Sequence, residues 1–338
     1  IIISFLYFSN YMLSEKESLL VIPVIGLLAG FLPFFVIIYA IFKALYRFKM
    51  HHLHIKMENL PTNFDKLRII HISDFHLGRF NFRYHILDRA VTLINHHKPD
   101  FIFFTGDLVN NYAWELRGWN QTFTKLIAKK GKFAVLGNHD YGYYAYGRDE
   151  ALNRSNHEMM EKVHQDIGFD LLQNEHRVLE KNGEKINILG VENWGASRHF
   201  PKKGSLKRAS EGIEDEGFNI LLSHDPSHFD YKELEINDRD KERADYVTDE
   251  TNVVDFEKKI HLTLSGHTHG MQFGIEIPFL NFKWSPVKYR YPKWAGLYEE
   301  AGQFLHVNRG FGYLAFPGRI GIWPEITVIE LKKGEKPV

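Results

Sequence analysis

The sequence predicts an α/β protein: a four-layer α/β/β/α sandwich of two mixed sheets, preceded by a transmembrane helical anchor. Three observations support this fold. Apolar runs alternate with amphipathic stretches between residues 67 and 140, strand-like runs with few long helices fill residues 186–331, and residues 19–42 contain no charged side chain. The first pattern favours parallel strands joined by right-handed crossovers, and the third is typical of a membrane span.

The predicted anchor occupies residues 1–50. About 24 uncharged residues at about 1.5 Å each exceed a hydrocarbon core of roughly 30 Å, so residues 19–46 are predicted to form a transmembrane helix. Residues 1–13 are apolar but too short to span, and are predicted to be a truncated first helix. Because basic residues follow the long helix and few precede it, the domain is expected on the cytoplasmic side of the inner membrane. The rest of the chain is predicted to consist of a connector at 51–63 and one globular domain at 64–334.

The first half of the domain has a βαβαβ pattern. Strands are predicted at 67–73, 99–107 and 132–140, with helices at 82–97 and 114–129 between them. The second half has predicted strands at 186–193, 219–225, 260–267, 303–310 and 326–331. Two charged stretches, 198–217 and 233–250, are predicted to be surface insertions, because neither could bury enough apolar surface to join the core.

The amino-acid composition excludes several kinds of functional site. Basic and acidic residues both number 42, so no overall positive field attracts nucleic acid. The chain has no cysteine, which excludes disulfides, thiolate metal sites and cysteine nucleophiles. An anionic substrate must therefore be held by a local site.

Five predicted strands end in residues of the kinds that bind metal ions. In α/β proteins ligands bind beyond the carboxyl ends of strands, so these residues are expected to lie together. Each motif alone has an ordinary alternative, such as a helix cap, an Asn or Asp turn, or a surface histidine. The fifth motif is the strongest, because glycines flank two closely spaced imidazoles. The motif residues are Asp74 and His76; Asp107; Asn138 and His139; His224; and His267 and His269.

An extended backbone after the first strand would turn Asp74 and His76 to one side, where both could bind one cation. A single aspartate with two oxygens, Asp107, could bridge two cations. The ligand set contains oxygen and imidazole but no thiolate, which suits a pair of divalent ions such as manganese, iron or zinc. The joint occurrence of the five motifs carries this prediction.

In these blocks, D-x-H, G-D, G-N-H, a single H and G-H-x-H, the sequence resembles the calcineurin-like metallophosphoesterase family. The resemblance covers residues 67–331, and the anchor with G-H-T-H-G-M-Q is similar to the membrane-associated bacterial branch. Members of that branch include hydrolases of UDP-2,3-diacylglucosamine in lipid A biosynthesis. It implies that Asp107 bridges two metals, that His139 assists the leaving group without binding metal, and that a bridging hydroxide attacks phosphorus in line. It assigns Asp74, His76 and His269 to one metal and Asn138, His224 and His267 to the other.

Differences between this sequence and two subfamilies narrow the range of expected substrates. Protein phosphatases of this family continue G-D-x-V-D-R-G, whereas Asn110 stands here at the second aspartate. Purple acid phosphatases have a tyrosine at the same position. A phosphoprotein substrate and a ferric-tyrosinate centre are therefore disfavoured, and either Asp140 or a main-chain carbonyl is left to orient His139.

Weaker features have two interpretations each. Arg309 and Arg319 could bind a phosphate bidentately or serve as structural arginines. Residues 283–298 mix basic and aromatic side chains, which could form a lipid-facing rim or an ordinary strand-and-turn surface. Residues 51–54 hold three histidines, interpreted as a solvated turn beside the membrane.

The expected function is therefore that of a dinuclear phosphoester or pyrophosphate hydrolase, with manganese as the preferred metal and iron or zinc as alternatives. Its expected substrate is a phosphorylated small molecule or lipid, with no nucleic acid and no obligate protein partner. Two alternatives stay open: a catalytically silent protein-binding scaffold, and a phosphodiesterase or nuclease sharing the same metal chemistry.

Overall fold

The computed structural model describes residues 15–80, 84–195, 202–213, 217–230, 259–280 and 282–334. The predicted helix at 1–13, the stretch 233–250 and parts of 198–217 lie outside these residues. The described helices are α1 (Glu15–Phe42), α2 (Tyr84–His96), α3 (Asn120–Phe123), α4 (Tyr143–Tyr146), α5 (Glu150–Asp166) and α6 (Leu206–Ala209).

The described strands are β1 (Lys49–Met57), β2 (Leu67–Ile72), β3 (Phe101–Phe104), β4 (Gly131–Ala134), β5 (Asp170–Leu171), β6 (Glu175–Lys181), β7 (Glu184–Gly190), β8 (Phe218–Leu222), β9 (Leu262–Ser265), β10 (Ile275–Ile277), β11 (Phe282–Trp284), β12 (Gly296–Glu300), β13 (Gln303–Val307) and β14 (Glu325–Lys333).

Helix α1 is long, apolar and mostly not packed against the domain. The segment Pro23–Tyr46 is long and apolar enough to cross a membrane, and only 6% of an 18-residue stretch of it is buried. The α-helix ends at Phe42 and a 3-10 turn follows at Ala44–Tyr46, so the apolar segment ends at the same residue as the predicted span of 19–46. Its two prolines, Pro23 and Pro33, are tolerated in lipid-spanning helices.

Two six-stranded mixed sheets form the domain, which confirms the predicted fold class. The first sheet has the order β1-β14-β2-β3-β4-β5 and the second has β12-β13-β9-β8-β7-β6. The central neighbours are parallel, β2 to β3 to β4 in one sheet and β7 to β8 to β9 to β13 in the other. A third, two-stranded sheet joins β10 and β11.

The predicted connector at 51–63 is wrong over its first part, because β1 pairs along its whole length with β14. The three histidines at 51–54 therefore belong to a strand rather than a turn. Ile55 and Met57 are buried while Lys56 between them is exposed, the alternation expected of an edge strand with one covered face. Basic and histidine residues obscured this period in the sequence.

The helices that cover the first sheet are longer than the helix described on the second. Helices α2 and α5 cover the outer face of the first sheet, with Leu87 and Met160 in one apolar cluster beside Phe104. The predicted helix at 114–129 is broken into a 3-10 turn and α3, because Gly118 between them takes a left-handed φ of +84°. On the second sheet, Leu206 and Ile213 are buried, so this part of 198–217 is core rather than a surface insertion.

Apolar side chains of both sheets meet in the central core, where phenylalanines of β3 lie close to isoleucines of β7. This packing brings the carboxyl ends of the parallel strands of both sheets to one edge of the domain. The predicted motif residues follow those ends.

Candidate metal centre

The motif residues lie together at the edge where the two sheets meet. β2, β3 and β4 of the first sheet and β8 and β9 of the second each end two or more residues before one of the motifs. Main-chain hydrogen bonds tie these loops to one another: the Asp74 amide donates to the Gly106 carbonyl at 2.9 Å, and the Gly266 amide donates to the His224 carbonyl at 2.9 Å.

The first group combines two carboxylates and two imidazoles. The ligand atoms of Asp74, His76, Asp107 and His269 lie within 4.8 Å of one another, and all four residues are buried. His76 Nε2 and His269 Nε2 are 3.0 Å apart, and His269 Nε2 lies 3.2 Å from Asp74 Oδ1. Such close imidazole nitrogens need a proton or a cation between them.

The second group is formed by Asp107, His224 and His267, with Asn138 beside them. His224 Nε2 lies 3.2 Å from the Asn138 amide oxygen, from His267 Nδ1 and from Asp107 Oδ2. Since Asp107 Oδ2 is also 3.6 Å from His76 Nε2, this aspartate belongs to both groups. The arrangement allows one carboxylate to contact two cations.

The backbone holds these residues in an unusual conformation. Left-handed φ angles cost on the order of 1–3 kcal/mol for residues with a Cβ and persist only when their surroundings impose them. The expectation of an extended D-x-H segment is therefore wrong, because both of its polar residues are left-handed. The affected residues are Asp74 (+54°), His76 (+48°), Asp107 (+58°), His267 (+69°) and His269 (+49°).

At two positions of the motifs there is no room for a side chain, so glycine is required. A Cβ on Gly137 would collide with the carboxylate and amide of Asp107, and one on Gly266 would collide with Ser73 and the carboxylate of Asp74. Any larger residue would push these carboxylates out of position.

In His224 and His267, the ring nitrogen that points away from the centre lies within hydrogen-bond distance of a residue outside it. His224 Nδ1 lies 2.7 Å from the Thr105 carbonyl oxygen, so it carries a proton and Nε2 is the atom that faces the centre. His267 Nε2 lies 2.9 Å from the Tyr291 hydroxyl, which leaves Nδ1 for the centre. Outer hydrogen bonds of this kind are typical of metal-binding histidines. Nδ1 of His76 is buried without a hydrogen-bond partner among the described residues.

The charges of the centre are interdependent. Burial lowers the pKa of His76, and His269 beside it acts in the same direction. Burial acts against a charged His224, yet the neighbouring Asp107 carboxylate raises the pKa of His224 to about 10. Burial also opposes the charge on Asp107, but His224 and His139 hold the pKa of Asp107 well below its usual range. An ionised Asp107 thus requires positive charge close by.

His139 lies beside the metal centre rather than in either group. Its Nδ1 is 2.6 Å from the Asn110 carbonyl oxygen, so a main-chain carbonyl orients the ring and leaves Nε2 as the atom that can exchange a proton. The ring stacks on Tyr144 with centroids 4.3 Å apart, and the Asn138 amide donates to the Tyr144 hydroxyl at 2.9 Å. Tyr144 and Tyr291 were not predicted, since each is one tyrosine among several in its segment.

Asp140 supports the loop of Asp107. Its two oxygens accept hydrogen bonds from the main-chain amides of Asp107, Leu108, Val109 and Gly137 at 2.8–3.2 Å. Burial, together with the charge of Asp107, raises the pKa of Asp140 to about 7. Asp140 therefore holds the bridging loop and does not orient His139.

We expect Asp140→Ala to be strongly destabilising. It would leave four buried amides without an acceptor, and each unsatisfied group costs about 1–3 kcal/mol, so the free energy of unfolding should fall by at least about 3 kcal/mol. Thermal unfolding of the full chain in detergent, followed by tryptophan fluorescence, measures the loss. Asp149→Ala is the matched control, because Asp149 accepts from one exposed amide at the start of α5, a cap worth about 1 kcal/mol. Equal losses in the two variants would contradict this role.

Of the two interpretations of Arg309 and Arg319, the contacts favour structural arginines over phosphate contacts, because both guanidinium groups are bonded inside the protein. Arg309 is paired with Glu325 and Glu276, each at 2.6 Å. Arg319 is 1% exposed and donates to the carbonyls of Gly310 and Gly312. These internal partners engage all three nitrogens of each guanidinium group, and Arg319 Nη2 lies 3.5 Å from His269 Nδ1.

Fold and site together define a candidate dinuclear metal hydrolase with oxygen and imidazole ligands. The sequence model of the calcineurin-like phosphoesterase family matches residues 67–271. The chain therefore belongs to that family, whose members are metal-dependent hydrolases of phosphoester bonds.

Several relatives are similar over most of the chain. An uncharacterized metallophosphoesterase of Bacillus subtilis, YkuE, is 31% identical over 82% of this chain and 83% of its own length. A transmembrane protein with a metallophosphoesterase domain from Danio rerio is 29% identical over 88% of this chain, which spans 60% of that protein. The UDP-2,3-diacylglucosamine pyrophosphatase LpxG of Chlamydia trachomatis is 27% identical over 75% of this chain and 81% of its own length.

Proposed function

We propose that this protein hydrolyses a phosphoester or pyrophosphate bond of a lipid- or nucleotide-linked substrate, such as UDP-2,3-diacylglucosamine, at the inner membrane. The observation that carries this proposal is the position of Asp107, whose carboxylate is shared by two groups of candidate ligands, each with its ligand atoms within 4.8 Å of one another. A relative named for that pyrophosphatase activity supports the substrate class.

The residues fit a pair of divalent ions. Asp74, His76 and His269 would hold one ion, Asn138, His224 and His267 the other, and Asp107 would contact both. The facing Nε2 atoms of His76 and His269, 3.0 Å apart, are consistent with a cation between them. Oxygen and imidazole donors without thiolate suit manganese, ferrous iron or zinc, and manganese is the metal that we propose.

When bound, the ions would supply positive charge to the phosphoryl group and lower the pKa of water. The protein contributes position and protons. Asp107 is held in place because its Oδ1 accepts the His139 amide at 2.8 Å. His139 would donate a proton from Nε2 to the leaving oxygen, while the Asn110 carbonyl keeps Nδ1 protonated.

The membrane limits the substrates that reach this site. Helix α1 would anchor the chain, and Lys43, Arg47, Lys49 and Lys56 follow it closely, which favours a cytoplasmic domain by the positive-inside rule. A lipid-linked phosphate in the cytoplasmic leaflet would then lie near the domain at a high local concentration.

Product analysis tests the proposal. The full chain is purified in detergent, stripped of metal, and incubated with manganese and separately with UDP-2,3-diacylglucosamine, phosphomonoesters and phosphodiesters. Manganese-dependent release of UMP is the expected result. Release of inorganic phosphate from monoesters alone would replace the pyrophosphatase with a phosphatase, and no turnover with manganese, iron or zinc would refute the proposal. The full chain is used because β1 begins directly after the anchor and belongs to the first sheet.

A further inference from the structure

The small sheet of β10 and β11 follows the metal loop directly and separates its side chains into two faces. Ile275 pairs with Trp284, Ile277 with Phe282, and Glu276 with Lys283. Since paired residues share a face and successive residues alternate, the four apolar side chains lie on one face and the two charged ones on the other.

The charged face is turned towards the domain. Glu276 accepts hydrogen bonds from the buried Arg309 at 2.6–2.7 Å. The ammonium group of Lys283 bonds to the Ala295 carbonyl and lies 3.0 Å from the Tyr298 hydroxyl. Both charges are therefore satisfied inside the protein, which leaves the apolar face of this hairpin on the outside.

Two side chains of that outer face and the tip of the hairpin are exposed, while Ile277 and Trp284 are half-buried. Ile275 is 53% exposed and Phe282 is 48% exposed, and at the tip Phe279 and Leu280 reach 86% and 62%. A hairpin with its charges inside and its apolar residues outside is the reverse of what water favours. Its surroundings must be apolar.

The hairpin and α1 are attached to one stretch of chain, residues 316–323. At the base of the hairpin, the Gln272 amide donates to the Phe316 and Gly318 carbonyls at 2.7 and 2.8 Å, and Phe273 forms a β-bridge with Ile320. In the next residues of that stretch, the Arg319 amide donates to the Ala40 carbonyl of α1 at 3.4 Å.

Two further contacts place the hairpin at the end of α1. Trp323 packs edge-on against Tyr39 of the helix, with ring centroids 6.3 Å apart. Lys49, which begins β1 shortly after α1, lies 4.0 Å from Glu276 of β10. The hairpin thus lies near the point at which the candidate membrane span joins the domain.

We propose that the β10–β11 hairpin inserts its apolar face and its tip into the lipid bilayer that α1 crosses. This second contact would fix the orientation of the domain, because one helix alone leaves it able to rotate about its anchor. The hairpin is also tied to the metal loop, since Ser285 donates to the Gly270 carbonyl at 2.7 Å. The metal centre is therefore held close to the membrane surface, where a lipid headgroup would reach it.

Fluorescence quenching tests the proposal on the full chain, which contains no cysteine. Three single variants, Phe279→Cys, Phe31→Cys and Ile127→Cys, are labelled with an environment-sensitive dye. Each is reconstituted in phosphatidylcholine–phosphatidylglycerol vesicles containing lipids with spin labels on their acyl chains. Phe31 lies in the middle of α1, and Ile127 is an exposed apolar residue (66%) of a loop on the first sheet, which serves as the matched control.

Strong quenching and a blue-shifted emission are expected at positions 31 and 279, with neither at 127. Quenching at 31 alone would overturn the hairpin contact while leaving the proposed hydrolase and its anchor intact. A blue shift at 279 without lipid quenching would also overturn it, since a second copy of the chain would then cover the tip. Absence of quenching at both positions would refute the membrane placement on which this inference rests, without bearing on metal-dependent hydrolysis.

Discussion

Replacing Asp107 by asparagine is expected to lower kcat/KM by more than about 100-fold, the upper range for losing a partner that merely supports a metal ligand. Asparagine keeps the shape and the hydrogen bond from the His139 amide, but it removes the negative charge shared by the two ligand groups. The four imidazoles of the two ligand groups would then share a single carboxylate of those groups, Asp74. Bound metal per chain should fall together with activity.

Metal analysis after dialysis and steady-state kinetics measure both quantities on the same sample. Asp88→Asn is the matched control: Asp88 lies on α2, 40% exposed and paired with Lys125, and the exchange should leave metal content and activity unchanged. Full metal content with full activity in Asp107→Asn would exclude a bridging role for this carboxylate.

Replacing His139 by alanine should have the second-largest effect and a different signature. We expect kcat to fall by about 10²–10⁴-fold, the usual contribution of a positioned acid or base, while metal content stays at the wild-type level. The reason is geometric, because His139 is oriented by the Asn110 carbonyl and lies outside both ligand groups.

Leaving-group dependence separates proton donation from a merely structural role. A substrate that releases p-nitrophenol needs little protonation, so the loss should be much smaller with it than with an alkyl phosphate. His85→Ala, on the exposed side of α2, is the control and should not change either rate. An equal loss with both substrates would assign His139 to positioning rather than to proton transfer.

The sequence predicted those parts of the fold that depend on local pattern. The apolar runs ending in Asp107 and His224 have strand length and end in turn signals, and β3 and β8 form there. The amphipathic spacing of Ile86, Leu87 and Ile94 was enough to predict α2. By contrast, β1 was missed because its pairing with β14 joins residues far apart in the chain, and no local pattern records such a partner.

For the candidate metal site too, some features follow from local sequence and others from contacts between distant segments. Residue type and spacing selected the candidate ligands, because chemistry restricts metal binding to few side chains and a short loop can present two of them. Whether Arg309 faces a substrate or Glu325, and whether Asp140 or the Asn110 carbonyl orients His139, depended on contacts between distant segments. The faces of the β10–β11 hairpin were decided in the same way.

The sequence by itself therefore determined the class of protein, the candidate membrane-spanning helix and the candidate metal ligands. Each of these depends on side-chain chemistry and short-range periodicity. Only the tertiary structure decided that Asp107 belongs to both ligand groups, that two arginines are internal, and that apolar side chains beside the metal loop point outward. The physical reason is that a partner's distance and direction are set by packing the whole chain, which residue identity alone does not fix.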